Sequence, residues 1–166
     1  MSTLAIDTIQ GATTAASVDL SNATSLKMPA GSVIQTVSQK FDGAGGANQY
    51  TTTSNSFVDS TMSVTITPKF NTSKILVRAF TQIYTTSTQH GKIAIYRGTN
   101  EIVTTSIKWI NSGESAGQGM IEILDNPATT SATEYSIYFR SNGSATCYIN
   151  GSSDSDSGIT AQEISQ

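Results

Sequence analysis

A chain that does chemistry needs a nucleophile beside a base, a pair of carboxylates, or a cluster of metal ligands. Each is in short supply here. His90 is the only imidazole in the 166 residues. It sits in "STQHGK" between two strand-like runs, where an exposed turn residue is the expected role. Cys147 is the only thiol, so a His/Cys zinc site within one chain is excluded. Only three copies of His90 about a threefold axis would gather imidazoles. Cys147 alternates with Tyr148 in "ATCYIN", which suits a buried strand residue and not a reactive thiol. "GSSDSDSG" places Asp154 and Asp156 ahead of Gly158, like the opening of a calcium loop in which alternate carboxylates converge on one hard cation. The bidentate Glu that closes such a loop is missing, so calcium at Asp154 and Asp156 is a minor expectation beside a solvated loop. No other carboxylates are spaced as a glycosidase acid and nucleophile. A glycan hydrolase is therefore a remote alternative, and no cofactor is expected.

Saccharide recognition asks less of a sequence: an aromatic platform with amide, hydroxyl and carboxylate partners. Trp109 ends "TTSIKWI" beside the Gly-rich stretch "NSGESAGQG", read as a loop, which brings Asn111 and Glu114 near the indole. Tyr96, Tyr135, Tyr138 and Tyr148 are further rings of this kind. Trp109, Asn111 and Glu114 are the candidate glycan-binding residues, weighed against the commoner fate of a lone Trp in a core.

Charge narrows the partners. Charged residues make up 13% of the chain, about half the usual share, while Ser and Thr fill roughly three positions in ten. Net charge is −3 and the pI is near 4.9, and the nine Lys and Arg are dispersed. Neither nucleic acid nor an anionic membrane is an expected partner. No run is long and apolar enough to span a bilayer, and "MSTLAIDTIQGATTAA" has neither a basic n-region nor an apolar h-region. The expectation is synthesis in a cytoplasm, which the lone Cys147 fits.

These side chains need elements to hold them, and every periodic segment reads as a strand. Met62, Val64 and Ile66 alternate with Thr61, Ser63, Thr65 and Thr67. Further strands are expected at Ser32–Phe41, Lys92–Gly98, Glu101–Ile110, Gly119–Asp125, Glu134–Ser141, Ala145–Asn150 and Gly158–Ile164, with a tight hairpin turn at Gly98–Asn100. Many short strands punctuated by Gly, Asn, Ser and Asp clusters predict an all-β, antiparallel β-sandwich of jelly-roll type over residues 31–166. Residues 1–30 hold only two short, weakly apolar extended pieces. They read as an N-terminal arm or short stalk, with Leu4, Ile6, Ile9, Val18 and Leu20 available to a docking partner.

One strand raises a question of coverage. In "KILVRAFTQIYTT", Ile75, Val77, Ala79 and Ile83 share one face. Leu76, Phe80 and Tyr84 share the other with Arg78 and Gln82. A monomeric sandwich needs one apolar face per strand.

"LAIDTIQG", "MPAGSVIQTVS" and "GITAQEIS" resemble segments of tailed-bacteriophage virion proteins, especially fibre-like and appendage proteins of phages from aquatic bacteria. There a short "LxVDTIxG" element precedes a β-sandwich. The central "ITPKFNTSKILVRAF" resembles, more loosely, the strand pair of trimeric jelly-roll heads of the C1q/TNF type. The resemblance implies a non-enzymatic virion protein, a short trimeric tail fibre or appendage. Its arm would attach to tail, baseplate or capsid proteins, and its head would meet host surface polysaccharide. The chain departs from long fibres in lacking an extended shaft, which leaves capsid decoration as the alternative. In a jelly-roll trimer the inner sheet packs against its neighbours, so Leu76, Arg78, Phe80, Gln82 and Tyr84 are the expected homotrimer interface. A loop or the arm folding over that face is the competing expectation.

Overall fold

The computed structural model describes residues 29–43, 49–86, 90–107, 110–111, 114–143, 145–150 and 156–166, with the backbone alone at 110–111 and 114–116. The strands in chain order are β1 (Val33–Asp42), β2 (Tyr50–Thr52), β3 (Val58–Ile66), β4 (Lys74–Thr85), β5 (Gly91–Arg97), β6 (Asn100–Ile107), β7 (Ile110–Asn111), β8 (Glu114–Asp125), β9 (Thr133–Ser141), β10 (Cys147–Ile149) and β11 (Asp156–Ile164). Among the described residues there is no helix.

Every pairing is antiparallel, and the pairings are nested. Of the strands with seven or more residues, β1 pairs with β11, β3 with β9, β4 with β8, and β5 with β6. This is one long hairpin whose innermost turn is Gly98–Thr99. Rolling it up adds the pairings β11–β4 and β9–β5, which yield two sheets. The large sheet runs β1-β11-β4-β8 and the small sheet β3-β9-β5-β6. β10 continues the column of β11 along the same edge of β4, meeting Ile83–Thr85, while β2 and β7 extend the margins. Over its described residues the chain is an all-β jelly-roll sandwich, as expected for residues 31–166.

Local chemistry explains the turns and the layers. Gly98 has φ +56° at the first position of a two-residue turn between paired Arg97 and Asn100, the conformation that a type II′ hairpin asks of glycine. Gly31 has φ +86°, and its amide donates to the Ser165 carbonyl at 2.8 Å, which brings the chain into the sandwich beside β11. Between the sheets lie Met62, Val64 and Ile66 of β3 and Ile75, Val77, Ala79 and Ile83 of β4. Ile93, Ile95, Tyr135, Ile137, Phe139 and Ile159 complete much of the core from the facing strands. In β3 the inward row is the one its alternation indicates.

Two polar devices hold the ends of the sandwich. Glu163 is 0% exposed. Its carboxylate accepts from the Lys69 and Phe70 amides at 2.8 and 3.1 Å and from Gln35 Nε2 at 2.6 Å. Burial pushes its pKa up, but these hydrogen bonds outweigh burial and hold it below the ordinary glutamate value. At the end of β8, Asp125 accepts from Arg97 Nη1 at 3.0 and 2.8 Å and from the Tyr135 hydroxyl at 2.7 Å. That triad joins the large sheet to the small one. Burial first, and then Asp125, raises the Tyr135 phenol far above its usual range.

Candidate assembly face

The outward row of β4 is Leu76, Arg78, Phe80, Gln82 and Tyr84, the five residues expected on one face. Register with β8 sets each against a partner: Leu76 faces Leu124, Arg78 faces Glu122, Phe80 faces Met120, Gln82 faces Gln118, and Tyr84 faces Ala116. Phe80 is 46% exposed, Leu124 48% and Met120 77%. An Arg78–Glu122 ion pair separates the two apolar rungs. At its exposed position that pair contributes little to stability.

The columns on the far side of β4 complete the face. Phe80 lies over Gly158 of β11, where a Cβ would sit 2.6 Å from the ring. Tyr84 packs against Tyr148 of β10, ring centroids 5.5 Å apart. Farther out the surface turns polar: Ser38 and Thr160 hydroxyls lie 2.8 Å apart, and Lys40 meets Asp156 at 2.9 Å. The apolar area is therefore a stripe along β4 and β8 rather than the whole sheet. Stripes of this make-up, apolar and aromatic with an Arg and a polar rim, are typical of protein interfaces.

Met120, Glu122 and Leu124 were not anticipated. The signal was available in "GMIEILD", where Ile121 and Ile123 alternate with Met120, Glu122 and Leu124. It is the same two-faced pattern that marks β4.

The other candidate residues fall in different places. Leu4, Ile6, Ile9, Val18 and Leu20 lie outside the described residues, as do Trp109 and Asp154. Asn111 and Glu114 are paired across β7 and β8. The Gly-rich stretch expected to be a loop is strand from Glu114 onward. Gly119 permits this, because a Cβ there would fall on the Ile107 side chain. Asp156 opens β11 opposite Asp42 instead of lying in a loop, and its carboxylate is engaged by Lys40. Tyr135 is buried at 0% exposure and has no surface for a sugar, because it lies on the inward row of β9. His90 is half-buried just ahead of β5. Cys147 is buried, as its alternation indicates, and burial pushes its thiol up to about 12. Among the described residues no three His, Cys, Asp or Glu side chains gather as metal ligands.

No protein-family model matches the chain. No curated protein matches it in sequence. Among solved structures, the chain is similar to a mutant VP2 protein of infectious bursal disease virus in derived T=1 particles. The alignment has a TM-score of 0.37 and 10% identity, and it covers 81% of this chain. The chain spans about two fifths of the length of that protein, 41%.

Proposed function

We propose that this chain is a non-enzymatic structural protein of a tailed-phage virion: a short homotrimeric tail fibre or appendage, exposed on the particle surface. The jelly-roll domain is its head and residues 1–30 are its attachment arm to other virion proteins. One observation carries the reading. Two adjacent strands of one sheet, β4 and β8, carry apolar rungs, Leu76 with Leu124 and Phe80 with Met120, on the face that the sandwich itself does not bury. Packing that stripe against two further copies about a threefold axis would remove Phe80, Met120, Leu124 and Leu76 from water. The resemblance of "LAIDTIQG", "MPAGSVIQTVS" and "GITAQEIS" to phage appendage proteins supplies the biological setting. Contact with host glycans through the Trp109 region belongs to the same reading.

Native mass spectrometry and light scattering test it. A trimer is expected at micromolar concentration, and Phe80→Asp should dissociate it by bringing three carboxylates together near one axis. A stable 17.5 kDa monomer would overturn the trimer. A virion reconstruction with this density on the capsid instead of the tail would favour decoration of the shell.

A further inference from the structure

The opposite face of the sandwich is built differently. On the outward side of the small sheet, the rings of Tyr96 (β5) and Tyr138 (β9) stack with centroids 3.8 Å apart and planes 18° from parallel. Phe57, just before β3, meets Tyr96 edge-on at 6.0 Å. Arg140 lies over the Phe57 ring at 5.3 Å and donates to the Asn55 carbonyl at 3.0 Å, which fixes the segment that carries Phe57. Ala94 and Ser136 point outward beneath this cluster, yet are 0% and 3% exposed. The stacked rings are packed in place by their neighbours while each keeps part of its own surface in water.

Carboxylates flank both phenols. The Tyr96 hydroxyl donates to Glu101 at 3.4 Å, and Asp59 is the cross-strand partner of Tyr138. Glu134 accepts from Ser63 at 3.3 Å and from Ser136 at 3.5 Å. Asp59, Glu101 and Glu134 are all exposed, so each keeps acceptor capacity directed to solvent. Among the described residues, none of the exposed large aliphatic or aromatic side chains, Val33, Phe70, Phe80, Met120 and Leu124, belongs to this sheet.

We propose that this face is a saccharide-binding surface for a neutral pyranose, whose C–H face packs on the ring surface of Tyr138 outside its stack with Tyr96 while its hydroxyls donate to Asp59 and Glu101. A sugar offers both halves of the match: apolar C–H groups for a ring and neutral donors for carboxylates. A flat protein partner would find no aliphatic anchor among the described residues here. A ligand cation would meet Arg140 already seated over Phe57, with Lys92 paired to Arg140 across the strands. The platform is on the sheet opposite the assembly stripe, so its fate does not depend on whether that stripe forms a trimer.

Saturation-transfer NMR tests the assignment with the full chain and a panel of methyl pyranosides: glucoside, galactoside, mannoside and N-acetylglucosaminide. At least one should receive saturation on the C–H protons of one ring face, with millimolar affinity. Tyr138→Ala should weaken binding about tenfold. Glu101→Gln, at an exposed position that leaves the ring stack intact, should weaken it as well, and Trp109→Ala should leave it unchanged. The proposal is overturned if the folded wild-type chain takes up none of the four. It also fails if Tyr138→Ala and Glu101→Gln both bind as well as wild type, if Trp109→Ala alone abolishes binding, or if tetramethylammonium binds in place of the sugars.

Discussion

Phe80 occupies the space that a side chain at Gly158 would need: its Cε1 and Cζ atoms lie 2.6 and 2.9 Å from the position of the missing Cβ. The glycine is not there for backbone conformation, since its φ is not in the left-handed region. It is there to let a half-exposed ring lie down along the sheet, and so it sets the height of the stripe that the trimer would bury.

Gly158→Ala should therefore separate folding from assembly. A strand accepts alanine more readily than glycine by about 0.5 kcal/mol, and the exposed Phe80 ring can swing aside, so urea denaturation should show an equal or higher midpoint. The raised ring should spoil packing between copies. Sedimentation equilibrium should then report weaker association, and an unchanged trimer would mean that Phe80 does not lie at the interface.

Glu163 predicts a pH dependence. Its carboxylate is held below the ordinary glutamate value in the folded chain, so its contribution is present above the unfolded value, about 4.3, and is lost as pH falls through the lower folded value. Urea midpoints should drop with pH across that window. Glu163→Gln should flatten this part of the profile and cost about 1–3 kcal/mol at neutral pH, because a neutral amide cannot satisfy the Lys69, Phe70 and Gln35 donors together.

The Arg97–Asp125–Tyr135 triad should behave as a latch between the sheets. Tyr135→Phe keeps the ring in the core and removes only the donor to Asp125, a loss of about 2 kcal/mol for a hydrogen bond to a charged group. A double-mutant cycle pairing Tyr135→Phe with Asp125→Asn should show coupling, since both act on one network. Additive losses would mean that the hydroxyl acts alone.

Cys147 should resist alkylation. With its thiol pushed up to about 12 and no exposed surface, iodoacetamide at mildly alkaline pH should modify it only as fast as the sandwich opens. Rapid labelling of the native chain would show that β10 detaches from β4 on its own.

How much of this was legible can be judged strand by strand. β3 advertises its rows by strict alternation, and in β4 the row from Leu76 to Tyr84 follows from parity alone. β8 was half legible. Its Gly117 and Gly119 imitate a loop, and the reason for Gly119, the nearby Ile107 side chain, comes from another strand. β2 is three residues long and too short to show a period. Glu163 gave no local warning, because the Lys69 and Phe70 amides that justify burying a carboxylate are 94 and 93 residues away. Tyr96 and Tyr138 could be named as rings, but their stacking depends on the β5–β9 register.

The nested pairing has a kinetic consequence. The β5–β6 hairpin closes through a two-residue turn, whereas Gln162 meets Thr36 across β1 and β11 at a separation of 126 residues. Each outer pair must close a longer loop than the one inside it, which makes the last seam the slowest to form. While a ribosome is still delivering the chain, β4 can pair with β8 on one side, but its other edge stays open until β10 and β11 emerge. During that interval an apolar strand with an unpaired edge is exposed to other nascent chains, and aggregation competes with folding.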